Sequence, residues 1–80
     1  MPIQALSAEI MRVRLTDKAL LPDLLLYLRS TESVVEQIGP DELSVIVPRA
    51  PSDEQARREV DIYLRAWQVM HPGAEAEILD

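Results

Sequence analysis

Cysteine is absent from the 80 residues. That excludes disulfides, iron–sulfur clusters and thiolate zinc sites, and leaves the redox compartment open. Histidine occurs once, at His71, so no His–His metal site or catalytic pair can form within one chain. Positive charge is scarce: 8 Lys and Arg stand against 14 Asp and Glu, a formal net charge of −6. Nucleic-acid binding rests on clustered basic residues that neutralise phosphates, so this balance argues against it, and against anionic membrane surfaces too. Long apolar runs are also missing. The richest, Leu24-Leu25-Leu26-Tyr27-Leu28, is far below the roughly 20 residues that span a bilayer. The opening Met1-Pro2-Ile3-Gln4-Ala5-Leu6 lacks the basic n-region and continuous apolar core of a signal peptide. Together these absences point to a soluble cytoplasmic protein with no metal, no cofactor, and no nucleic-acid or membrane partner.

What is present suits a small core. The chain is 48% hydrophobic, which is enough to fold and argues against disorder. Its length fits one domain near the lower end of what folds alone. We expect an N-terminal arm over residues 1–8 and a single domain over 9–80, together a complete small protein. Seven of the eight basic residues are Arg, and Ala and Leu are abundant, a composition associated with GC-rich bacterial genomes.

Alternation over Glu9–Leu15 predicts a first strand with Met11, Val13 and Leu15 inward and Ile10, Arg12 and Arg14 outward. A helix follows, beginning between Ala19 and Pro22 and ending near Ser30, because Pro22 is tolerated only in a first turn. Leu20, Leu21, Leu24 and Leu28 form its buried stripe, with Leu25 beside it and Leu26 nearly opposite. Val34–Ile38 reads as a second strand in which Glu36 or Gln37 must face inward, a conflict that an edge position tolerates. Gly39-Pro40-Asp41-Glu42 is a turn, and Leu43–Val47 is a strand with Leu43, Val45 and Val47 inward, so the pair is a hairpin.

The longest helical pattern runs from Ser52 to His71. Ser52-Asp53-Glu54-Gln55 fits a capping box, and Pro72-Gly73 ends the helix. At 100° per residue Ala56, Val60, Tyr63, Leu64, Trp67 and His71 share one face. Ile62, Ala66, Val69 and Met70 flank it on one side and widen the apolar arc to roughly 220°, against the 100° or so that a surface helix needs. Ala74–Leu79 then alternates as a last strand, with Ala76 and Ile78 inward.

The element order is β-α-β-β-α-β. With right-handed crossovers it predicts an α+β, ferredoxin-like two-layer sandwich: an antiparallel sheet of order 4-1-3-2 with both helices on one face. On the uncovered face Arg12 and Arg14 would then lie beside Glu75 and Glu77, opposite charges on adjacent strands.

Little chemistry emerges from the residues. His71 reads as a helix C-terminal residue meeting the last carbonyls, without an evident nucleophile or carboxylate companion. Asp17, Asp23 and Asp53 read as caps and first-turn charges. Arg57, Arg58 and Arg65, interleaved with Glu54 and Asp61, read as a solvated face. RNA-recognition modules of this topology carry aromatic residues on the central strands, where this chain has Arg12, Arg14, Ser44 and Ile46. Metal-transport domains use a Cys-x-x-Cys loop after the first strand, where this chain has Thr16-Asp17-Lys18-Ala19.

The segment Val13-Arg14-Leu15-Thr16-Asp17-Lys18-Ala19-Leu20-Leu21 resembles the strand-to-helix junction of ACT domains, βαββαβ regulatory modules that bind amino acids in dimer interfaces. The family's Asp-x-Pro-Gly-hydrophobic junction is matched at Asp17 and Lys18, while Ala19 and Leu20 stand at its Pro and Gly positions. The resemblance covers about nine residues and implies a regulatory domain binding a small molecule such as an amino acid.

The expectation is therefore a non-enzymatic interaction module of unknown role that self-associates, as a homodimer or with another protein. Exposed contiguous apolar surface marks a partner site. Ile10, Ile46 and Leu79 on the open sheet face, and Ile62, Ala66 and Val69 on the long helix, are the interface candidates. The sheet face is preferred because an uncovered four-stranded sheet offers more contiguous area.

Overall fold

The computed structural model describes residues 10–79; the arm expected over 1–8, together with Glu9 and Asp80, lies outside the described residues. Strand β1 spans Met11–Leu15 and alternates buried and exposed residues along its whole length. At its end the Asp17 carboxylate accepts from Ala19 N at 3.1 Å and caps a single 3₁₀ turn, Lys18–Leu20. Helix α1 follows as Leu21–Arg29, with Pro22 in its first turn and Leu21, Leu24 and Leu28 buried. The missing N–H of Pro22 costs nothing there, so the turn before α1 absorbs the residues a longer helix would have claimed.

Strand β2 (Val34–Gln37) and strand β3 (Glu42–Ile46) form the expected hairpin, closed where Ile38 N donates to Glu42 O at 3.0 Å. Only Val35 of β2 is buried. Gln37, which alternation turns toward the helices, stays exposed and donates its side-chain amide to Gly39 O at 2.9 Å. Helix α2 runs Asp53–Met70, and the Ser52 hydroxyl accepts from Gln55 N at 3.1 Å. The helix has ended by His71, whose φ of −133° and ψ of 70° are not helical. Gly73 takes a φ of +94° in the turn that follows, closed where Ala74 N donates to His71 O at 3.1 Å, a conformation glycine adopts without a Cβ clash.

Strand β4 is Ala76–Leu79, two residues shorter than alternation suggests. The reason lies at the end of β1. Glu75 N donates to the Thr16 hydroxyl at 3.0 Å, a side chain standing where a ladder carbonyl would be.

The four strands form one antiparallel sheet of order β2-β3-β1-β4, which is 4-1-3-2 counted from the other edge. Met11, Val13, Leu15, Val35, Leu43 and Val45 share one cluster with the buried residues of both helices, including Trp67, Leu64 and Val60. One sheet face is therefore covered by helices, and the other carries Arg12 and Arg14.

The charge pairing on that open face differs in part from expectation. Arg14 meets Glu77 at 3.4 Å as its cross-strand neighbour. Arg12, however, lies opposite Leu79 on β4 and reaches instead to Glu42 of β3, at 3.8 Å. Glu75 precedes β4 and engages Thr16 through its backbone.

Candidate functional site

Three features of the described residues have the makings of a site. The first joins the two helices. Asp23, in the first turn of α1, receives the indole N–H of Trp67 on Oδ2 at 2.9 Å, and His71 Nε2 approaches the same oxygen at 3.0 Å. The imidazole stacks on the indole with ring centroids 4.1 Å apart, and its Nδ1 lies 2.9 Å from Trp67 O. Both ring nitrogens thus face acceptors. A neutral imidazole donates to one of them and an imidazolium to both.

His71 does cap the helix end, as expected, but it has the carboxylate companion that the sequence did not reveal. One signal was available. Two helices on one sheet face with this connectivity run antiparallel, which brings the start of α1 beside the end of α2. Because Trp67 is fully buried, this cluster acts as a staple in the helix layer.

The second feature is a cleft of about 460 Å³ where β1, β4 and the end of α2 meet, lined by Arg14, Thr16, Asp41, Gln68, Glu75 and Glu77. Asp41, Glu75 and Glu77 share this lining with Arg14, whose guanidinium Glu77 engages. The Thr16 hydroxyl is held between Glu75 N and Glu75 O. The cleft opens beside the Thr16-Asp17 junction that resembles the ACT pattern, and His71 does not line it.

The third feature is uncovered apolar surface, which falls into two groups. On the helix layer, Ile62, Val69 and Met70 of α2 and Leu26 of α1 are between 57% and 79% exposed, and Ala66 is exposed among them. Gln68 reaches Ala76 N of the edge strand β4, so it marks the β4 side of α2. Ile62, Ala66, Val69 and Met70 occupy the outer and α1-facing side. On the open sheet face Ile10 is 60% and Val34 51% exposed, while Ile46 and Leu79 are half-buried. Val34 pairs with Ile46, and the β1–β3 register continued by one residue sets Ile10 on the other side of Ile46. These three make an apolar row across β2, β3 and β1, with Leu79 diagonal to it.

The six interface candidates thus separate into two faces. Ile10, Ile46 and Leu79 come together on the sheet; Ile62, Ala66 and Val69 come together on α2. No protein-family model, curated protein or solved structure matches this chain.

Proposed function

We propose that the chain is a ferredoxin-like module without catalytic activity that acts by binding a second copy of itself. The reading rests on one observation: among the described residues the sheet has helices on one face only, and the other face presents an apolar row flanked by paired charges. An uncovered surface of this kind in a small acidic domain favours a protein partner, since burying it removes apolar area from water. Static light scattering at micromolar concentration tests the reading. A mass near twice the 9.0 kDa of the chain supports it, and a single-chain mass at every concentration counts against it.

A second reading follows from the cleft beside Thr16. It takes the chain as an ACT-like regulatory domain whose small ligand, such as an amino acid, sits against Arg14, Thr16 and Gln68. The position of the cleft at the junction carrying the resemblance favours it. Binding to the native state must raise its stability. A thermal-shift screen against amino acids and small anions therefore decides, and no stabilisation by any of them removes this reading.

A further inference from the structure

The register of the open sheet face makes it complementary to itself. Three rows run across it. The first is Val34, Ile46 and Ile10; the second is Glu36, Ser44, Arg12 and Leu79; the third is Ile38, Glu42, Arg14 and Glu77. We propose that a second copy of the chain seats on this face, about a two-fold axis that lies in the interface, parallel to the strands and midway between β3 and β1. This rests on the self-association proposed above and names the surface and its geometry.

The choice of axis follows from the rows. Such a two-fold lays β3 of one protomer over β1 of the other and keeps each row against its own copy. Ile46 then meets the partner's Ile10, Ser44 meets the partner's Arg12, and Glu42 meets the partner's Arg14, each contact occurring twice because the interface is isologous. An axis at right angles to the strands through the middle row would set Ile10 and Ile46 against the third row, and one through the apolar row would keep the isoleucine contacts but carry both charged rows past the partner. At the rim Glu36 meets the partner's Leu79 and Ile38 the partner's Glu77, where the carboxylates keep access to water.

The charges have capacity to spare. Arg14 and Arg12 touch their own-chain partners at 3.4 and 3.8 Å, and about half of each side chain is exposed. A guanidinium has five N–H donors, so most are left for a facing carboxylate. Two sheets can pack this way with strands aligned and faces about 10 Å apart.

Edge-to-edge pairing is the competing route, and part of both edges is closed. The hairpin bond at Ile38 and Glu42 fixes the alternation that turns the Val35 carbonyl outward, and Arg29 Nε and Nη2 donate to that oxygen at 3.2 and 3.1 Å. On the other edge Gln68 Oε1 accepts from Ala76 N at 3.3 Å. Side chains that occupy edge groups in this way hinder strand addition.

Charge exchange tests the axis. Arg14→Glu sets a carboxylate against the partner's Glu42, and Glu42→Arg sets a guanidinium against the partner's Arg14, so each variant alone meets like charge twice. In an equimolar mixture, a dimer of one variant with the other holds one contact between the two introduced charges and one between the two native ones, both of opposite sign. We expect each variant, with its fold verified by circular dichroism, to weaken self-association at least about tenfold, which is 1.4 kcal/mol per decade, and the mixture to return to the two-chain mass. A merely structural defect in either variant would not be repaired by mixing.

Ile10→Lys, which lies ahead of β1 and outside the core, supplies a disruption that leaves the strand sequences intact. Val69→Lys on the helix layer should leave the mass at two chains. If Arg14→Glu, Glu42→Arg and Ile10→Lys all remain two-chain while Val69→Lys dissociates, this face is wrong and the helix layer is the interface. A wild-type chain that is monomeric throughout removes the self-association reading itself.

Discussion

Asp23 shows how one side chain can act far from where its sequence position places it. A carboxylate in the first turn of α1 suits the positive end of the helix, which is all that local reasoning assigns to it. In the folded chain the same carboxylate holds both Trp67 and His71 on Oδ2. The indole is fully buried, so removing its acceptor leaves a donor unsatisfied, and that costs more than a hydrogen bond contributes on average. Asp23→Ala should destabilise the chain by about 1–3 kcal/mol in urea titrations followed by the fluorescence of Trp67, the only tryptophan. Asp23→Asn keeps an acceptor oxygen for the indole and should lose less. Equal losses for the two would show that the indole bond contributes nothing.

Arg12 shows reach deciding what alternation leaves open. Alternation fixes the face on which the guanidinium emerges, but a long flexible arm selects between neighbouring strands by distance. It selects Glu42 on β3, where a cross-strand charge count along β4 pointed to the other edge.

At the scale of elements, the sequence was most informative where local chemistry alone decides. The Ser52 cap and the first-turn Pro22 appear as the residues dictate, while the left-handed Gly73 falls in the turn after the helix has ended. Ser52→Ala should cost about 1 kcal/mol through the lost bond to Gln55 N, again measured by urea titration. Strand β4 was less legible, because the Thr16 hydroxyl that ends its pairing lies at the far end of the sequence. Helix α2 is apolar beyond its core face, and the structure leaves Ile62, Val69 and Met70 exposed. Under the sheet-face geometry none of the described residues of the second copy covers that strip. Val69→Lys should therefore change stability by no more than about 0.5 kcal/mol, as an exposed substitution away from any contact does. A loss of about 2 kcal/mol or more by chemical denaturation, the size that a buried position gives, would mean that the strip is covered.

For the whole molecule, the element order and the handedness of crossovers were enough to give the sheet order, since few topologies satisfy both. The inward residues of β1 and β3 followed from strict alternation, and they are the buried ones. What alternation could not supply was any contact between elements distant in sequence: the staple at Asp23, the Arg29 bond to the β2 edge, and the cleft beside Thr16. The candidate interface was legible only as exposed apolar positions. Its self-complementarity emerges from the register, which aligns Ile10 with Ile46 and Arg14 with Glu42. We propose that two copies share the open face of the sheet. The most direct measurement is the mass of equimolar Arg14→Glu and Glu42→Arg chains at micromolar concentration, against each alone. Shared use of that face predicts a mass lowered toward a single chain for each variant and twice 9.0 kDa for the mixture; equal masses in all three samples would contradict it.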